Sequence, residues 1–145
     1  MNAPVSMTEQ VRRAVLAMPM AQTLKLVFRR IDPGQVELEI PLQEAWCFRP
    51  GQLQATAVFA AADFAAVTAA GTLLPPGFIN ATVDASLKLV APARGSHLVA
   101  RGRVVMASRL LTVCAADVFA VCDGEERLCA TFLGTARNID TQATR

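Results

Sequence analysis

The chain has 145 residues, 53% of them hydrophobic and 18% charged, with a formal net charge of +2. That is one domain's worth of chain with enough apolar material for its own core, so no disulfide or metal staple is needed. The near-neutral balance excludes the electrostatic footprint of a nucleic-acid binder, and one histidine with no tyrosine leaves little for a metal site or a His-based relay.

Residues 1–10 hold no basic segment followed by an apolar one, so a cytoplasmic chain without a secretory leader is expected. Residues 8–18 read as an amphipathic helix with Val11, Val15 and Met18 on one stripe. Ser6 or Thr8 can cap it, and Pro19 stops it. Residues 24–30 and 35–40 read as strands around Asp32-Pro33-Gly34, with Val36, Leu38 and Ile40 alternating against Glu37 and Glu39. Residues 41–51 read as a loop.

The alanine-rich segment 53–70 is too long for a strand, and Pro75-Pro76-Gly77 ends it firmly. It predicts a helical rod of roughly 25 Å whose small side chains let a sheet wrap closely around it. Residues 55–74 are long enough for a bilayer, yet alanine gains little from hydrocarbon. Asp63 near the centre would cost roughly 2.5–3.5 kcal/mol there, so no membrane span is expected.

Strand patterns follow at residues 79–90, 98–106, 111–122 and 128–137, and Asp123-Gly124 signals a type I′ hairpin between the last two. Leu98, Ala100, Val104 and Met106 are read as one inward face. Residues 113–121 are read as buried on both faces. The four cysteines, at 47, 114, 122 and 129, form no Cys-x-x-Cys pair and are read as reduced, buried, small apolar residues. Helix, two strands, long helix and four strands predict a single α+β domain over residues 1–145, with a core at about 10–138 and frayed ends. Six strands under one or two helices leave an edge and a face open, which a second copy would cover.

Asp63 stands alone as the only ionisable group between Arg49 and Asp84. Two readings are open. It can emerge at a solvent-facing turn of the helix, or it can be a desolvated carboxylate acting as general base or nucleophile. Thr56 lies seven residues earlier on the same helix face. The helix start near Gln54, Ala55 and Thr56 offers free N–H groups and a positive dipole end suited to an oxyanion.

Several strings carry a family resemblance. Gly51-Gln-Leu-Gln54-Ala55-Thr56 is followed by Ala-Val-Phe-Ala-Ala-Ala-Asp63, and Thr82 opens a long strand that ends in Pro92-Ala-Arg94-Gly95. Val104 to Arg109, Asp123-Gly124 and Leu133-Gly134-Thr135 complete the set. The chain resembles the hotdog-fold acyl-CoA thioesterases, specifically the phenylacetic-acid-degradation (PaaI-like) type. There a Gly, two residues and His-Gly-Gly open the central helix, and the catalytic Asp stands nine residues after the His. Here the family His falls at Gln54, the paired glycines at Ala55 and Thr56, and an upstream Asn at Phe48.

The resemblance implies a hotdog fold: a long central helix wrapped by an antiparallel sheet of five to six strands that dimerises through the sheet. It implies an acyl-CoA thioesterase that needs no cofactor and no metal. Asp63 from a facing subunit activates water or attacks the thioester. Ala55 and Thr56 polarise the carbonyl through their N–H groups, with Gln54 donating a hydrogen bond. Arg109 and Arg94 pair with CoA phosphates, Phe48 and Phe59 line the acyl tunnel, and Thr82 belongs to the substrate site. The partner is a second copy, as a dimer or a dimer of dimers. A non-hydrolytic hotdog protein that binds acyl-CoA or an acyl group is the alternative, and a dehydratase on the same scaffold is a third reading. His97 lies on the polar side of its strand, so a serine or cysteine hydrolase is disfavoured, as is zinc.

Overall fold

The computed structural model describes residues 3–143; of the ends expected to fray outside the core at about 10–138, residues 1, 2, 144 and 145 lie outside it, whereas residues 7–9 are helical and residues 139–140 belong to a strand. The first helix, α1 (Met7–Leu16), starts where Ser6 accepts a hydrogen bond from the Glu9 N–H, so the serine cap is the one used. Pro19 does more than stop this helix. It opens a second short one, α2 (Pro19–Thr23), because a proline ring suits the first helical position. Of the expected stripe only Val15 is buried, and Met18 is exposed at the junction of the two helices.

Strands β1 (Val27–Asp32) and β2 (Gln35–Pro41) pair antiparallel around the predicted turn. The expected loop after them is partly ordered instead. It holds a single 3-10 turn (Glu44–Trp46) and a small hairpin of β3 (Cys47–Arg49) and β4 (Gln52–Leu53). The central helix α3 runs Ala55–Gly71, followed by β5 (Phe78–Leu89), β6 (His97–Ala107), β7 (Leu111–Cys122) and β8 (Glu125–Asp140). The main sheet is antiparallel with strand order β1-β2-β6-β7-β8-β5. Asp123 and Gly124 both have positive φ, at 51° and 78°, which is the type I′ geometry their identities predicted.

The sheet curls around α3, which packs mainly on β6 and β7. Ala61, Ala62, Ala65, Ala66, Ala69 and Ala70 are completely buried, so the helix is enclosed on nearly every side. Gly102 shows how close the layers come: a Cβ there would overlap the Ala65 carbonyl. Leu38, Ile40, Leu98, Val118 and Phe132 complete the core.

Three expectations need correction. Met106 is 67% exposed, because a bulge between Val104 and Met106 shifts the register and turns the later side chains outward. Residues 113–121 are only half-covered on the outer sheet face. There the Arg101 guanidinium stacks on Phe119 at 4.9 Å and bonds Glu37 and Glu126, replacing a second apolar layer with ion pairs. Cys114 and Cys129 are buried, with thiols pushed up to about 11 by burial, whereas Cys47 is half-buried and Cys122 exposed. At the sheet edge, β5 exposes Ile79, Val83 and Leu89.

Candidate active site

The alanines that make up most of α3 carry Asp63 into the middle of the helix, where helix geometry fixes its direction rather than local choice. The side chain is half-buried and reaches β5, where the Thr82 hydroxyl donates to its Oδ1 at 2.8 Å. Burial raises the carboxyl above its ordinary value, and the Thr82 hydrogen bond partly opposes that rise. Asp63 in turn adds to the rise of the buried Cys114 thiol on β7. Among the described residues Asp63 has no ion-pair partner, so it is a carboxylate held by burial and one hydroxyl.

The start of α3 is built separately. Gln54 is the cap residue with extended backbone, and its own N–H is spent on the Trp46 carbonyl at 2.9 Å. Its side chain makes no capping bond and is exposed. The next two N–H groups, of Ala55 and Thr56, therefore point out of the helix end, where the dipole is positive. Asp63 lies eight residues further on, about 12 Å along the axis. One chain thus carries both the acid and the amide pair but does not bring them together.

A cavity of about 380 Å³ opens beside this helix end, lined by Phe48, Gln52, Leu53, Ala55, Val58 and residues 89–93. That volume suits a small organic group. Phe48 lies on the cavity and is 56% exposed, whereas Phe59 packs edge-on against Phe132 at a centroid distance of 5.8 Å and does not line it.

The structure of a thioesterase family protein from Silicibacter pomeroyi matches with a TM-score of 0.91 and 32% identity, covering 93% of this chain and 99% of that one. The chain belongs to the thioesterase family. Its fold is the hotdog of that family, a six-stranded antiparallel sheet around one long helix. The PaaI protein of the E. coli phenylacetic acid degradation operon shares this fold at 16% identity, with a TM-score of 0.80 over 91% of this chain and 93% of its own. A phenylacetic acid degradation-related protein from Ralstonia eutropha JMP134 does so at 24% identity, with a TM-score of 0.76 over 88% and 98%. No family model matches the chain, and no curated protein matches it.

On this thioesterase-family scaffold the remaining candidates fall in different places. Arg109 lines a second cavity of about 350 Å³ with Leu73, Leu74 and Phe78, at the opposite end of α3 from Ala55. Arg94 stands beside the first cavity, where its Nε and Nη2 donate to Gln52 Oε1 at 3.2 and 2.9 Å. His97 lies on the outer sheet face, with Nδ1 2.7 Å from Ser96 Oγ and Nε2 3.9 Å from Glu39, away from Asp63. No helix among the described residues is long and apolar enough to cross a membrane. No group of three metal-ligating side chains gathers among them either.

Sequence reasoning missed Arg49 and Gln52. Pro50-Gly51 between them was the available signal: with Gly51 at φ +73°, it makes the tight turn that sets Arg49 opposite Gln52. Gln52 also bridges to Arg94 through the backbone, so the three residues are gathered by main-chain pairing.

Proposed function

We propose that the protein hydrolyses acyl-CoA thioesters, with Asp63 as the general base or nucleophile. The observation that carries this reading is the Asp63–Thr82 pair: a half-buried acid with a raised pKa on the central helix of a thioesterase-family fold. A carboxylate made more basic by burial is a better proton acceptor near neutral pH.

The thioester carbonyl sits at the α3 N-terminus, its developing negative charge met by the Ala55 and Thr56 N–H groups and the Gln54 side-chain amide. Because about 12 Å separates these groups from Asp63 within a chain, the acid is supplied by a facing second copy. The open edge strand β5, with Ile79 and Val83 exposed near Thr82 and Leu89 exposed at its far end, supports such a pairing. Asp63 takes a proton from water, the hydroxide adds to the carbonyl carbon, and the carbon–sulfur bond of the tetrahedral adduct breaks. CoA leaves as a thiolate, so no strong general acid is required. The acyl group occupies the cavity by Phe48, and because Arg109 stands at the far end of α3 in its own chain, it meets CoA phosphates from the facing copy with its bidentate fork.

The test is turnover of a panel of acyl-CoAs by wild type and Asp63→Asn. Loss of hydrolysis in the variant supports the reading; equal rates would remove Asp63 from the mechanism. Binding without turnover by wild type would instead favour a non-hydrolytic acyl-CoA-binding protein.

A further inference from the structure

Two guanidinium groups converge on one neutral atom of Gln52, a residue that lines the cavity. Gln52 is 8% exposed, and its Oε1 accepts from Arg49 Nε at 3.1 Å as well as from Arg94 Nε and Nη2 at 3.2 and 2.9 Å. An amide oxygen aligns two cations but leaves their charge uncompensated. Among the described residues neither arginine has a carboxylate within 4.0 Å. Glu44, in the same loop, is turned to the Gly51 N–H at 3.2 Å instead. Arg49 is further held over the Phe48 ring at 5.1 Å, and both Phe48 and Gln52 line the cavity. Arg49 and Arg94 are both exposed, so two like charges held this close at the edge of an apolar space are open to an anion.

We infer that this Arg49–Arg94 pair binds a carboxylate on the distal end of the acyl group, so that the preferred thioesters are those of dicarboxylic acids. The inference rests on the thioesterase reading and names its substrate class. Position favours the acyl half of the ligand over the nucleotide half. Gln52 is three residues from Ala55, at most roughly 11 Å of chain, whereas the phosphates of CoA are separated from the thioester by the whole pantetheine arm. The cavity is lined by apolar Leu53, Val58 and Leu89 and by Gln52, whose amide oxygen holds the two guanidiniums just outside the lining.

The test measures affinity, so that it does not depend on turnover. The probes are thioether analogues of glutaryl-CoA and pentanoyl-CoA in which a methylene replaces the carbonyl, each made also on pantetheine without phosphates. The expected result is about tenfold tighter binding of the glutaryl analogue in both series, the worth of one charge-assisted contact. In Arg94→Gln and Arg49→Gln the two affinities converge. Gln52→Glu abolishes the difference as well, because an internal carboxylate then occupies the fork; a merely structural role for Gln52 gives no such selective effect. Equal affinity of the two analogues for wild type overturns the inference. So does a loss in the arginine variants confined to the phosphate-bearing series, which would assign the pair to CoA phosphates. Failure of hydrolysis alone would sink the proposed activity while leaving the affinity difference to stand or fall separately.

Discussion

The Thr82 hydroxyl donates to Asp63 Oδ1 at 2.8 Å, tying the middle of α3 to the edge strand β5. Two opposing influences therefore set the carboxyl: burial lifts it and Thr82 lowers it, with burial the larger. Each can be removed by one substitution, with different consequences.

Thr82→Val deletes the opposing influence and nearly preserves shape. The carboxyl then rises further, and the acid limb of the kcat/KM profile moves to higher pH. A pH–rate profile checks this. An unmoved acid limb would show that Asp63 does not titrate in the rate-limiting step.

Asp63→Asn removes the charge itself. A carboxyl whose pKa is raised by folding holds its proton more tightly folded than unfolded. Stability is therefore lost as pH rises from the ordinary value of 3.8 through the raised one, and stays lost above it. At neutral pH the Asn variant should melt higher than wild type, with the gain vanishing in acid, while hydrolysis falls by about 10²-fold or more. Thermal melts across pH alongside kinetics give both readouts. A variant that melts lower at neutral pH contradicts the assignment of burial as the dominant cause.

Ala55→Pro tests the helix N-terminus without disturbing the helix. Proline is accepted at the first helical position, and Gln54 already has the extended backbone that precedes a proline, at φ −67° and ψ 148°. Only the N–H is lost. If it holds the oxyanion, kcat falls by about 10²–10³-fold while the melting temperature changes little. Wild-type kcat in this variant would leave the task to Thr56 and Gln54.

Gly102→Ala probes the seam between helix and sheet. The added methyl overlaps the Ala65 carbonyl, and both partners are backbone, so neither can swing aside. A loss of about 1–3 kcal/mol in urea unfolding is expected. Fully wild-type stability would mean that α3 sits further from β6 than described.

The span of α3 is legible in the sequence to within two residues at each end, and that of β7 in full, because the alanine run and the Pro75-Pro76-Gly77 and Asp123-Gly124 signals are local. Met106 was misplaced because a bulge leaves no mark in an apolar alternation. Asp63 was legible as an oddity: an isolated charge in an apolar helix needs a reason wherever it points. Gln52 was not, since its burial comes from β4 docking beside Ala93 and Arg94, some forty residues on, a relation that no local pattern encodes. The placement of Arg109 and Ala55 at opposite ends of one helix likewise emerges only when the chain is folded.

The all-alanine, glycine-backed seam between α3 and β6 divides the chain into parts that can and cannot vary. At Gly102 the strand backbone rests against the Ala65 carbonyl, so there is no room for a larger side chain between helix and sheet, and the depth at which α3 presents Asp63 is tied to that contact. Phe48, Gln52, Leu53 and residues 89–93, by contrast, line the cavity from a small hairpin and a strand end, and Ala55 and Val58 line it from the first turn of α3. Under the proposed function, a designer seeking a new acyl preference should randomise the hairpin and strand-end residues first, since these lie away from the contact that positions Asp63.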